Sequence, residues 1–170
     1  RKVPCKSAFG GIKRVYMTNF GSVETVVVAG ATGEAAITGS PVWFEYDVKG
    51  NSSLETTVTS SRENGTTFYT QTLNLTLTFL DGLTQQELQI IAVARPQIAV
   101  EDYYGNTFLC GFENGMEVTG GTVVTGAAAG DLSGFTLTFE GMEEKAPFFL
   151  TAAIVPSASQ VDPTPSGVPA

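Results

Sequence analysis

The chain has no histidine, and this one absence removes Ser-His-Asp and Cys-His catalysis together with the common histidine-bearing zinc sites. Only two cysteines occur, Cys5 and Cys110, far apart in sequence. Two are too few for a disulfide scaffold, and both a single bridge and two free, core-like thiols stay open. Charged residues make up 15% of the chain against 42% hydrophobic ones, which excludes a wholly disordered polymer. Long apolar runs are missing as well. FFLTAAIV (residues 148–155) falls well short of the ~20 residues of a spanning helix, so no membrane association is expected. No signal peptide is visible, and because the chain begins RKVPC without Met, a removed leader stays open.

Cations are scarce too. Nine Lys and Arg face seventeen Asp and Glu, a net charge of −8. Such a surface repels phosphates and excludes tight nucleic-acid binding. It suits either plain solubility or a wall along which nucleic acid slides without sticking.

What is abundant is Thr, Gly and Val in alternating order, the composition of strands. TFYTQTLNLTLTF (residues 67–79) places Leu73, Leu75, Leu77 and Phe79 on one side and Asn74, Thr76 and Thr78 on the other. At ~3.3 Å per residue this ribbon would be about twice a usual strand in length. Asn64-Gly65, a hairpin dipeptide, joins it to the polar stretch SLETTVTS. The expected hairpin spans about residues 49–79, and its distal end, up to Tyr69, has little apolar support. VWFEYDV (residues 42–48) puts Val42, Phe44, Tyr46 and Val48 opposite Trp43, Glu45 and Asp47. GATGEAAITGSP (residues 30–41) reads as a loop. A second hairpin turns near residues 104–107, and GFTLTFEG (residues 134–141) is another clean alternation.

One helix is expected at about residues 84–94. Thr84 and Glu87 form a capping box, Leu83 staples onto Leu88, and Leu88, Ile91, Ala92 and Val93 face the core. Pro96 limits its end. The fold class is therefore all-β, with nine or ten strands: an antiparallel sandwich or partly closed barrel with one flanking helix. Residues 1–155 form one domain. The last fifteen residues hold four of the eight prolines and read as a flexible or partner-bound tail.

Side chains that carry chemistry are few. The carboxylate pairs Glu45 and Asp47, Glu101 and Asp102, and Glu143 and Glu144 read as solvated strand edges or turns rather than a glycosidase pair. The acidic loops lack a calcium-loop pattern, and the Gly-rich TGGTVVTGAAAGD lacks a Walker lysine. No enzyme activity, metal or cofactor is expected. Three N-x-S/T sequons, at Asn51, Asn64 and Asn74, carry no function without a secretory origin. Trp43, beside Glu45 and Asp47, is either a sugar-stacking platform or a residue packed under a loop or at a subunit interface.

The order of these features resembles tail tube and related virion proteins of tailed bacteriophages. The likeness is carried by GGIKRVYMTNF near the start, the NGTTFYTQTLNLTLTF ribbon, the QELQIIAVA helix, IAVEDYYGNTFLCGFENGMEVTGG, and the closing TGAAAGDLSGFTLTFEGMEEKAPFF. It covers residues 10–149. The resemblance implies a sandwich subunit that assembles into hexameric rings. The rings stack into a virion tail, built in the bacterial host cytoplasm, through which DNA passes without specific binding. Its partners would be other copies of itself and further tail or neck proteins. On this view the hairpin lines the channel with Glu45, Asp47, Glu55, Arg62 and Glu63, while Trp43, Thr67, Tyr69 and Gln71 meet neighbouring subunits. A neck, ring or tail-terminator protein is an alternative within the same resemblance. A secreted carbohydrate-binding sandwich is a more distant one.

Overall fold

The computed structural model describes residues 10–48, 51–78 and 82–157. Within them the order is β1 (Ile12–Thr18), β2 (Val23–Val28), β3 (Ala35–Gly39), β4 (Phe44–Asp47), β5 (Ser53–Ser61), β6 (Thr66–Thr78), α1 (Gly82–Val93), β7 (Gln97–Asp102), β8 (Thr107–Cys110), β9 (Glu117–Val124), β10 (Gly134–Glu143) and β11 (Phe148–Leu150). A large sheet has the order β2-β3-β11-β8-β7-β1-β4, and a small one has β5-β6-β10-β9. All pairings are antiparallel except β3 with β11. The class is an all-β sandwich with one helix, and the sheets do not close into a barrel.

Alternation explains how the layers meet. Leu73, Leu75 and Leu77 of β6 pair with Phe139, Leu137 and Phe135 of β10, so both strands turn one apolar face inward. These residues meet Val15 and Met17 of β1, Ile98 and Val100 of β7, and Cys110 of β8 in the main core. The central strands of the large sheet, β1, β7 and β8, are also buried on their other face. There Tyr16, Ala99 and Leu109, which alternate with the first set, join Val23 and Trp43 in a second core. Phe148, Leu150 and Ile154 pack against that cluster, and the Ser157 N–H donates to the Trp43 carbonyl at 3.0 Å. The C-terminal stretch thus lies close to Trp43.

Several expectations change. Residues 35–39, read as loop, form β3, because strand pairing with β2 compensates for the small side chains. The helix begins at Gly82, which puts Thr84 in its first turn and not at its cap. The Glu87 carboxylate accepts from the Tyr46 hydroxyl at 3.2 Å, so the capping box is not made. Leu88 is buried and Ile91 packs on the core, but Ala92 is exposed and Val93 is 90% exposed. The side chain of Leu83, residue Cys5, and residues 158–170 of the Pro-rich tail lie outside the described residues. Cys110 is free and fully buried, and burial pushes its thiol up to about 12.

Candidate functional site

The turn at Asn64-Gly65 forms as expected: Gly65 has φ 63° and Ser61 pairs with Thr66. The ribbon is less isolated than its length implies. β6 lies between β5 and β10 and pairs with β10 from Thr78 back to Tyr69. Only the pairs of Thr59, Ser60 and Ser61 with Phe68, Thr67 and Thr66 extend past β10. The distal end of the hairpin, from the tip to about Tyr69, is mostly exposed, in line with the few apolar residues of its sequence. Among the described residues, no further strand pairs with the two outer strands of the small sheet, β5 on one side and β9 on the other.

The face of this sheet turned away from the core is mainly hydroxyls and carboxylates, with Met142 and Val124 the exposed apolar residues on it. Thr76, Thr136 and Thr122 lie side by side on β6, β10 and β9, and the last two are hydrogen-bonded through their hydroxyls. The Thr138 hydroxyl donates to Asn74 Oδ1 at 3.0 Å on the same face. One cross-strand row runs the full width of the sheet: Glu55 on β5, Thr72 on β6, Glu140 on β10 and Glu117 on β9. With strands ~4.8 Å apart, Glu55 and Glu140 stand roughly 10 Å from each other, about one Debye length at 0.1 M salt. Glu140 and Glu117 are direct neighbours, an arrangement that destabilises a pair of like charges. Arg95 offsets it through an ion pair to Glu117 at 2.8 Å. None of the four strands contains a Lys or Arg.

The proposed channel residues divide between two places. Glu55 is exposed on the outer face of β5, and Arg62 and Glu63 are exposed in the turn at the hairpin tip. Glu45 and Asp47 are not with them. They lie on β4, at the edge of the large sheet, and pair with Arg14 at 2.9 and 3.3 Å. The hairpin and the strand before it belong to different sheets, so these carboxylates do not join the row.

The proposed contact residues also divide. Thr67 is exposed near the tip, where its hydroxyl meets that of Ser60 at 2.9 Å, and Tyr69 is half-buried. Trp43 is only 4% exposed and Gln71 only 2%, so neither is available to another subunit. Trp43 lies just before β4 and belongs to the second core with Tyr16, Val23, Ala99 and Leu109, while its chain neighbours Val42 and Phe44 are exposed.

Gln71 is part of a clamp on the loop between β8 and β9. Its Oε1 accepts from the Gly111 N–H at 3.1 Å, and its Nε2 donates to the Lys145 carbonyl at 3.3 Å. Glu143, also buried, accepts from the N–H groups of Glu113 and Asn114 at 3.0 and 2.9 Å. Burial raises the Glu143 pKa, while these backbone donors pull it back down. The loop folds tightly at Gly111, φ 64°, where an added Cβ would stand 2.7 Å from Met116 Cγ. Sequence reasoning missed Glu117, Glu140 and this clamp. The only local signal was the alternation of β10, which places Glu140 outside but cannot name its neighbours.

Among the described residues, no group of three or more His, Cys, Asp or Glu side chains is arranged to hold a metal ion. No helix among them is long and apolar enough to cross a membrane. No family model, curated protein or solved structure matches this chain.

Proposed function

We propose that this chain is a structural virion subunit, the tail tube protein of a tailed bacteriophage, whose copies close into a ring around a DNA passage. The observation that carries the reading is the small sheet. Among the described residues its two outer strands have no further strand partner, and its outward face is mainly hydroxyls and glutamates, with no cation in any of its four strands. An exposed sheet edge is a template for pairing with another chain, and closure into a barrel removes it. Pairing β5 of one copy with β9 of the next would extend the Glu55-Thr72-Glu140-Glu117 row around the ring. Phosphates passing such a wall meet repulsion and water-bound hydroxyls instead of binding partners. Stacked rings make a tube; unstacked rings would fit a neck or terminator role. The carbohydrate-binding alternative loses its main support, because Trp43 is inside the fold.

Negative-stain electron microscopy of the purified chain tests the proposal. Rings or tubes of uniform bore are expected, and a monomer at all concentrations would end it. Val123 on β9 is 60% exposed in the single chain. The Val123→Lys variant should remain folded by circular dichroism but lose the rings, since the added charge would sit at the closing edge.

A further inference from the structure

The sandwich is open on one side. Beneath edge strand β5 a cleft of about 440 Å³ runs between the sheets, lined by Ile12, Leu54, Val100, Phe108, Pro147 and Phe149 among others. Its walls are mainly apolar, and among the described residues Asp102 is the one charged residue lining it. Phe108 and Phe149 pack against each other at its side, tilted by 55° with ring centroids 4.6 Å apart, yet Phe149 remains 48% exposed. An opening of this kind leaves core-like surface in water.

Gly11 itself lines the cleft. The chain before Gly10 reads RKVPCKSAF, with Arg1, Lys2 and Lys6 and no acid. Three of the nine cations therefore lie in nine residues, and the remaining 161 residues carry six against seventeen acids, a net charge of −11. Of those six, Lys13, Arg14, Arg95 and Lys145 are already in ion pairs with carboxylates. Phe9 is two residues from Gly11, a span of at most about 7 Å.

We propose that this cleft is the seat of the chain's own N-terminal segment, residues 1–9, with the Phe9 ring inserted beside Phe108 and Phe149. The apolar cleft takes the ring, and the acidic body attracts the basic residues that precede it. A tether of two residues keeps Phe9 at an effective concentration in the millimolar range or above, so modest contacts suffice. Ring closure through the edges of β5 and β9 lies in the plane of the small sheet, whereas the cleft lies under it. The two proposals therefore stand or fall separately.

The full chain, a variant lacking residues 1–9 and the Phe9→Ala variant should be compared in binding an apolar fluorescent dye. Dye fluorescence should rise several-fold in the shortened chain and in Phe9→Ala. A synthetic RKVPCKSAF peptide should reverse most of the rise in the shortened chain. A benzophenone side chain at position 9 of the full chain should crosslink to Leu54, Phe108 or Phe149 within one molecule, which tests the seat without any change in stability. Crosslinks elsewhere, or equal dye binding by all three chains, would overturn the proposal. Crosslinks only between copies, or dye binding by the full chain that grows on dilution, would also overturn it and assign the cleft to a second copy.

Discussion

The two sheets are made from similar residues but used differently. The large sheet is buried on both faces at its centre, with Val15 and Met17 in one core and Tyr16 in the other. The small sheet is buried on one face only, and its other face is mainly Thr, Asn and Glu. The large sheet thus holds the molecule together, and the small one presents a surface and two edges. Adjacent positions on β10 show the contrast at the scale of single residues: Phe139 has no exposed surface, while Thr138 points outward to Asn74.

The largest effect should come from the inner face. Phe139→Ala removes a fully buried ring and should cost about 3–5 kcal/mol in urea unfolding. A loss below about 1 kcal/mol would mean that the two sheets are not packed on each other as described. Gln71→Ala should cost less, about 1–3 kcal/mol, chiefly because the Gly111 N–H loses its acceptor. Hydrogen exchange should show the loop after β8 opening in this variant, and unchanged protection there would count against the clamp. The smallest change is expected on the outer face, where Thr138→Ala should shift stability by under about 1 kcal/mol. If Thr138→Ala equals Phe139→Ala in cost, the division into a holding face and a presenting face is wrong.

Glu143 sharpens the comparison through pH. It is a carboxylate sealed inside, whereas those of Glu55 and Glu117 are exposed. Its folded pKa is raised above the ordinary 4.5, so the fold holds this proton more tightly than the unfolded chain. Its contribution to stability is therefore present in full below the ordinary value and is lost as pH rises through the raised one. The stability of wild type relative to Glu143→Gln should fall as pH rises from below the ordinary carboxylate value through the raised one. Denaturation curves at both ends check the sign, and a rise would mean that the backbone donors of Glu113 and Asn114 outweigh burial.

Much of this layout was legible because some signals are local. The alternation along β6 and β10, the Asn64-Gly65 turn and the existence of a helix all depend on near neighbours in the chain. The loop between β7 and β8 was similarly readable, and Asp102 anchors it by accepting from the N–H groups of Tyr104 and Asn106. What stayed hidden depends on register between distant strands. Nothing near Glu55 shows that it shares a row with Glu140 and Glu117, and nothing near Gln71 points to Gly111. Trp43 was set at a subunit interface for a related reason: alternation groups it with Glu45 and Asp47 but cannot show that its cluster is covered by Phe148, Leu150 and Ile154, more than 100 residues along the chain. β3 was missed because Ile37 and Thr38 stand alone among Ala and Gly, too short a run to mark a strand, and its pairing with β2 and β11 supplies what the run lacks.

The parallel contact of β3 with β11 bears on how the molecule is made. β11 sits inside the large sheet, joining the β2–β3 hairpin to β8, and Thr151 reaches Ala35 across 116 residues of chain. A nascent polypeptide leaving the ribosome can form that hairpin early, but the hairpin has no strand to dock on until the region around Phe148 has been synthesised. Long-range closures of this kind are slow. Premature termination before residue 148 would therefore leave the hairpin's inner edge bare, an open strand edge available to any other chain nearby.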